Sequence, residues 1–410
     1  MPGAGAGSRG DPAYNREMDA LGLYVHIPFC QTKCAYCDFA VVVGRDRRQA
    51  EYVAALVHEI RVWGAVLGRP GVSTIYVGGG TPSLLPAAQI ATLLDACREA
   101  FVVQADAEVS LEANPGTVDR SVLRALRDAG ANRLSLGVQV FDDAALQALG
   151  RLHSADEARR AVDEARRAGF DNLSLDLIYG LPGQELAGWQ QSLDEAVQLA
   201  PEHLSAYGLT IEPATEFGRR LRLGKLAPLN QDLAADMYEA ADETLGEAGY
   251  RRYEIANFAR PGFECQHNLG YWRNQPFLGL GMGAHGSTVV ARFGNHRRLN
   301  AYLSQMAGWQ GPRFAAPCVP EVGGPIAWVE ALDRATQLAE TAILALRLAE
   351  GLNMAAFEAR FGERAEERWA TTIEELEALG LARIEDGALR LTARGRLLGD
   401  EVFTRFLLER

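Results

Sequence analysis

Lysine is almost missing from this sequence: of its 41 basic residues only Lys33 and Lys225 are lysines. No arginine run makes up for them as a basic patch, and 53 acidic residues bring the net charge to −12. A surface of that sign repels nucleic acid and anionic lipid, which argues against both as partners. No run of about 18 apolar residues exists, so no membrane span is expected. The opening residues, MPGAGAGSRGDPAYNRE, are rich in glycine and alanine and have no apolar stretch of the secretory kind. Residues 1–19 are expected to form a disordered tail. Cysteine is also sparse, and Cys97, Cys265 and Cys318 are scattered without a disulfide framework. Free thiols and no export signal point to a reducing cytoplasm.

What is present is an ordinary globular mixture, 48% hydrophobic and 23% charged over 410 residues, long enough for two or three domains. From Leu21 to Leu209 a short β-branched run, a turn and an amphipathic helix recur. Strands are expected at 21–27, 73–79, 107–113, 133–139, 172–179 and 203–210, with helices at 47–67, 86–101, 119–129, 154–168 and 186–199. This alternation implies an α/β fold with a parallel sheet. Nearly every strand ends in something chemically capable: a cysteine loop, Gly78-Gly79-Gly80-Thr81, Glu112, Gln139, Asp176 and Thr210. Barrels assemble sites in that way, whereas an open sheet concentrates its site at one switch point. A partial (β/α)6 barrel of the TIM type is therefore expected over 20–290, followed by a connecting segment at 291–334. Residues 335–410 read as a helical, winged-helix-like module: a helix stopping at Gly351, a hairpin turning at Asp386-Gly387, and a last helix capped by Thr392 and reaching Arg410. Its segment 363–379 is dominated by glutamate where a DNA-reading helix is basic, so the module is read as a packing or lid domain.

The densest chemistry is FCQTKCAYCDF, Phe29 to Phe39. Cys30, Cys34 and Cys37 stand on one loop, and thiolates so spaced suit zinc or an iron–sulfur cluster. Structural zinc takes four ligands, and no second cysteine pair exists. Three ligands to a four-iron cluster leave one iron open.

CxxxCxxC directly after a strand, with Tyr36 before the third cysteine, resembles the radical S-adenosylmethionine (SAM) family. The resemblance implies a [4Fe–4S] cluster whose open iron takes the amino and carboxylate groups of SAM. One electron then breaks a carbon–sulfur bond and releases a 5′-deoxyadenosyl radical. It also implies that GGGTPS, with Gly79, Gly80 and Thr81, lies along the methionyl end of SAM. On the same basis Glu112, Gln139, Arg151 and Asp176 are expected as polar SAM contacts, Tyr24 as an aromatic one, and Thr210 as a further contact. Read singly, Glu112, Arg151 and Asp176 fit structural ion pairs equally well.

LYVHIPFC, DLIYGLPGQ, RYEIANFAR, HNLGYW and LTARGRLLGDEVFTRFL narrow the resemblance, over Leu21 to Arg410, to the branch that holds oxygen-independent coproporphyrinogen III oxidase and its heme-chaperone relatives. The oxidase carries CxxxCxxCxC, and here Phe39 takes the place of the fourth cysteine. The oxidase also has a longer N-terminal segment, whereas the first strand here is expected from Leu21. Both departures favour the chaperone relatives, with Phe39 expected to pack over the cluster. HNLGYW resembles a chaperone motif associated with heme, which implies His267 as an axial iron ligand with Tyr271 and Trp272 against the porphyrin. The alternative is a buried histidine held among core aromatics. Cys265 is a rival ligand, and His285 a lesser candidate. Three readings stay open: a heme chaperone that passes heme to an apo-hemoprotein such as a respiratory enzyme, with cluster and SAM serving assembly or a homodimer; an oxidative decarboxylase of coproporphyrinogen III; and another SAM radical enzyme.

Overall fold

The computed structural model describes residues 21–288 and 290–408, and the expected tail lies outside them. Six parallel strands stand side by side in chain order: β1 (Leu21–Ile27), β2 (Gly71–Gly79), β3 (Val102–Ala113), β4 (Arg133–Gln139), β5 (Leu173–Tyr179) and β6 (His203–Gly208). The crossovers hold α1 (Gln49–Leu67), α2 (Ala87–Ala100), α3 (Arg120–Asp128), α4 (Asp143–Leu149), α5 (Ala155–Ala168) and α6 (Leu186–Gln198). Local chemistry sets the helix ends. Ser154 and Glu157 form a capping box at the start of α5, and Gly169 takes the left-handed conformation that closes it. Between them Ala158, Ala161, Val162 and Ala165 repeat at three- and four-residue spacing and are buried.

Successive side chains of a strand face opposite ways. Leu23 and Val25 of β1, Ile75 and Val77 of β2, Leu134 and Leu136 of β4, and Leu173 and Leu175 of β5 belong to the main apolar core. The alternate set is polar, and Tyr24, Tyr76, Glu112, Ser135, Asp176 and Ser205 from six strands all line one cavity. The six strands thus curl around a polar interior, the partial barrel expected, instead of filling it with aliphatic layers.

Beyond β6 the chain widens this sheet on both flanks. After α7 (Gln231–Glu247), β7 (Asn257–Ala259) runs antiparallel to β6. After α8 (Gln266–Trp272), β8 (Phe277–Leu280) runs parallel to β1, followed outward by antiparallel β9 (His285–Ser287), β10 (Ala291–Asn295) and β11 (Ile326–Ala331). Segment 291–334, read as connecting chain, therefore belongs to the sheet. It also carries α9 (Leu299–Met306), which gives Tyr302 and Met306 to the main core. Its strands are short, and their partners are set by tertiary packing more than by local pattern.

The rest forms a module with its own core, including Leu338, Phe357, Trp369, Ile373, Leu389 and Phe406. It holds α10 (Arg334–Leu346), β12 (Leu352–Asn353), α11 (Met354–Phe361), α12 (Ala370–Ala378), the hairpin β13 (Ala382–Glu385) and β14 (Ala388–Leu391), and α13 (Gly399–Leu408). Asp386 and Gly387 both have positive φ, 53° and 74°, as a tight hairpin turn requires. Helix α10 ends before Gly351, because Leu348 pairs with Glu254 and draws the chain away. Thr392 caps a short helix, Ala393–Leu397, separate from α13. Helix α8 joins module to barrel: the Arg347 guanidinium lies 4.5 Å over the Trp272 ring, Arg273 pairs with Glu350 at 2.9 Å, and Asn274 donates to the Thr341 hydroxyl.

Candidate functional site

The cavity inside the curl has a volume of about 820 Å³, and the expected cluster and SAM residues, with His267, Tyr271 and Cys265, line it. At its mouth, Phe29–Cys30 pairs with Val42–Val43 and closes the cysteine loop. Cys30, Cys34 and Cys37 are free thiols, each partly exposed. Arg151 donates to Cys34 Sγ at 3.8 Å, and Cys30 Sγ lies 3.6 Å from Thr81 Oγ1. Burial pushes the Cys30 thiol up to about 11 and raises that of Cys37. A metal bound as thiolate has to displace those protons, so binding is expected to strengthen as pH rises. Among the described residues no three His, Cys, Asp or Glu side chains converge to hold one ion. A four-iron cluster takes one thiolate at each of three corners, so three thiols on one loop suit it.

Behind the thiols lies the glycine edge of β2. A Cβ at Gly78 would stand 2.8 Å from Tyr76, at Gly79 2.5 Å from the His26 ring, and at Gly80 2.8 Å from the backbone of Pro28 and Phe29. Gly79 also has φ +114°, so the backbone must stay bare here. Thr81 is buried and accepts a hydrogen bond from Asn114 Nδ2 at 2.9 Å. Asn114 in turn accepts from Arg151, which also donates to Gly137 O at 2.7 Å. Arg151 is thus held between the thiol loop and β4.

Deeper in, Glu112 accepts hydrogen bonds from Tyr76 Oη at 2.8 Å and Gly79 N at 3.0 Å, and burial pushes its carboxyl up to about 7. Asp176 accepts from Ser135 at 2.9 Å and Ser205 at 2.8 Å, and burial raises it too. Tyr24 donates to His26 Nδ1, whose Nε2 donates to Ala40 O at 2.8 Å, so β1 steadies the far end of the cysteine loop. Gln139 has φ +71° at an irregularity in the β4–β5 pairing. Such a conformation is uncommon for a side chain that is not glycine and marks a position fixed by its surroundings. Thr210 lies exposed at the mouth, just past the end of β6.

His267 belongs to the floor. It is 3% exposed, its Nδ1 bonds Thr74 Oγ1 at 2.8 Å and its Nε2 bonds Tyr271 Oη at 2.9 Å. Tyr76 stacks on it at 5.2 Å, and burial lowers its pKa to about 3. Neither ring nitrogen is free to meet a metal. Trp272 lies under the Arg347 guanidinium of the C-terminal module and does not line the cavity. Cys265 is buried on the same floor with its thiol 3.4 Å from Glu108, and His285 packs edge-on against Trp328 outside the cavity. Phe39, expected over the thiols, instead points into the open at the mouth.

Sequence reasoning passed over Arg133, Asn114, Ser174, His203 and Ser205, all lining the cavity. Arg133 is buried and donates to Asn172 Oδ1 and Phe263 O, each at 3.0 Å. His203 bonds Ser174 and Tyr253. The signal was available: RLSLG, NLSLDL and HLSAY put a polar residue at every second place of a strand that is otherwise apolar.

Comparison with known proteins bears on what such a cavity serves. The Radical SAM superfamily model matches residues 24–196, and the HemN C-terminal domain model matches 332–398. The heme chaperone HemW of Mycobacterium tuberculosis (strain ATCC 25618 / H37Rv) is 41% identical over 394 residues, covering 94% of this chain and 95% of that protein. That of Bacillus subtilis (strain 168) is 36% identical over 387 residues, covering 94% and 99%. Among solved structures, the coproporphyrinogen III oxidase HemN of Escherichia coli, a radical SAM enzyme, superposes with a TM-score of 0.81 at 27% identity, covering 97% of this chain and 93% of that one.

Proposed function

The chain belongs to the heme chaperone HemW family within the radical SAM superfamily, and from that membership we propose that it holds heme and delivers it to an apo-hemoprotein. Cys30, Cys34 and Cys37 would hold a [4Fe–4S] cluster, and Gly79, Gly80, Thr81, Glu112, Gln139, Arg151, Asp176, Tyr24 and Thr210 would surround SAM. When bound, the cluster supplies an open iron for SAM and a single electron. The chain's own part is positional. Arg151 sets a positive charge beside the thiol loop. The bare glycines let Tyr76, His26 and the Pro28–Phe29 backbone close up beside the cavity, and Glu112 and Asp176 offer acceptors or charge to the cationic end of SAM.

The observation that carries the chaperone reading over an enzymatic one is Phe39, a residue without metal-binding or redox chemistry where the oxidase has a cysteine. The superposition on HemN supports the second reading, oxidative decarboxylation of coproporphyrinogen III. Anaerobically reconstituted protein separates the two. With hemin, a shifted Soret band at one equivalent is expected; with SAM, reductant and coproporphyrinogen III, no vinyl product is expected. Multiple turnovers to protoporphyrinogen would overturn the chaperone reading.

A further inference from the structure

We infer that Asn114 is a positioning residue for the cluster: its side-chain amide turns Thr81 toward Cys30 and Arg151 toward Cys34, and those two hydrogen bonds to sulfur raise the cluster's reduction potential. This rests on the cluster assigned to Cys30, Cys34 and Cys37, and it holds for a chaperone and a decarboxylase alike. A chain of hydrogen bonds runs from one thiol to another. Cys30 Sγ lies 3.6 Å from Thr81 Oγ1, and Thr81 Oγ1 accepts from Asn114 Nδ2 at 2.9 Å. Asn114 Oδ1 accepts from Arg151 Nη2, and Arg151 Nη1 donates to Cys34 Sγ at 3.8 Å.

The chemistry of the donors fixes the direction of every bond. A guanidinium only donates, so the amide turns its oxygen to Arg151 and its nitrogen to Thr81. The Thr81 hydroxyl then accepts from Asn114 and keeps its own proton for Cys30, which as a metal-bound thiolate only accepts. Helix capping does not explain the residue. Asn114 stands at the N-cap of the short turn Pro115–Thr117, a place that favours asparagine, yet its side chain makes no cap bond and lines the cavity instead. Gly137 makes room for it: a Cβ there would stand 3.1 Å from Asn114 Oδ1 and 3.2 Å from Arg151 Nη2. Hydrogen bonds and positive charge at cluster sulfurs favour the reduced, more negative state, so a residue that orients both raises the potential.

The test is a redox titration of anaerobically reconstituted full-length protein without SAM. Dithionite is the reductant, and the EPR signal of the reduced cluster is read after iron and sulfide assay. Asn114→Leu keeps the size of the side chain and removes both bonds. It is expected to lower the midpoint so that the reduced-to-oxidised ratio at a fixed potential falls about tenfold, or about 59 mV for one electron. Asn114→Asp keeps the acceptor for Arg151, draws the Thr81 proton to itself and adds a negative charge, so its midpoint is expected to fall at least as far. Thr81→Val is expected to lower the midpoint too. The shift of Asn114→Leu/Thr81→Val is expected to fall short of the sum of the single shifts, since one residue acts through the other. The proposal is overturned if the Asn114 variants carry wild-type iron and sulfide at the wild-type midpoint, or if the single shifts add. It is also overturned if neither Asn114 variant assembles a cluster, which would make the residue structural. Wild-type protein that assembles no four-iron cluster overturns the cluster assignment itself.

Discussion

Glu59 is the residue with the clearest pH consequence. It is fully buried in α1 and accepts from Gly281 N, Asn295 Nδ2 and Tyr302 Oη, each at 2.7 Å, so it ties the glycine turn after β8 to α1 and α9. Burial raises its carboxyl from 4.5 to about 7. Between those values the folded protein holds a proton that the unfolded chain has released, so stability falls as pH rises through the window and levels off above it. Glu59→Gln is expected to flatten that decline, leaving the share due to Glu112. It should also lower stability by about 1–3 kcal/mol at pH 5, because an amide nitrogen must face one of three donors. Denaturant midpoints at pH 5 and 8 check both. In QAEYVAALVHEIRVW its spacing from Tyr52, Leu56 and Trp63 puts Glu59 on the buried face of the helix, but the partners that hold it there, Gly281, Asn295 and Tyr302, lie far along the chain. The cysteines and Gly79 were legible because their chemistry permits few substitutes. Arg133 and His203 carry only the alternation of their strands, and their partners Asn172, Phe263, Ser174 and Tyr253 lie far along the chain.

Among the elements, the parallel strands were legible wherever apolar and polar residues alternate, and their bounds fall within a few residues of those read from the sequence. Strands β9, β10 and β11 escaped because they are short and join the sheet only through far partners. Helix α8 shows a different failure. Its motif suggests a ligand set, yet His267 and Tyr271 face the barrel floor while Trp272 and Arg273 grip the module. Trp272→Ala is expected to cost about 1–3 kcal/mol through lost packing and the cation–π contact with Arg347. Amides of α10 and α13 should then exchange faster, while those of β2 and β4 keep their protection. Unchanged exchange in the module would show that Trp272 does not carry the joint.

Among the described residues the molecule has two large apolar cores, one for the widened sheet and one for the module, and two smaller clusters. No helix among the described residues is long and apolar enough to cross a membrane. The cysteine loop, in contrast, has little regular structure; Ala35 packs it on a small cluster with Leu149 and Phe217, and its bonds include Ala35 N to Leu149 O, Phe217 N to Ala35 O, and His26 to Ala40 O. A bound cluster stabilises the folded state by mass action, and most at the segment that ligates it. Removing iron with a chelator is expected to raise hydrogen exchange across 30–43 while the six central strands stay protected. A uniform rise would mean the metal supports the entire fold.

The floor of the cavity is sealed by buried side chains, among them His267, His203, Arg133 and Cys265, whereas Lys33, Phe39, Leu152 and Thr210 stand open at the other end. For anything that enters at that open end, the order of entry matters. Whatever rests deepest has to arrive first and depart last, and a guest parked on the threshold detains it. A bulky label fixed on that rim should therefore slow the departure of whatever already sits within.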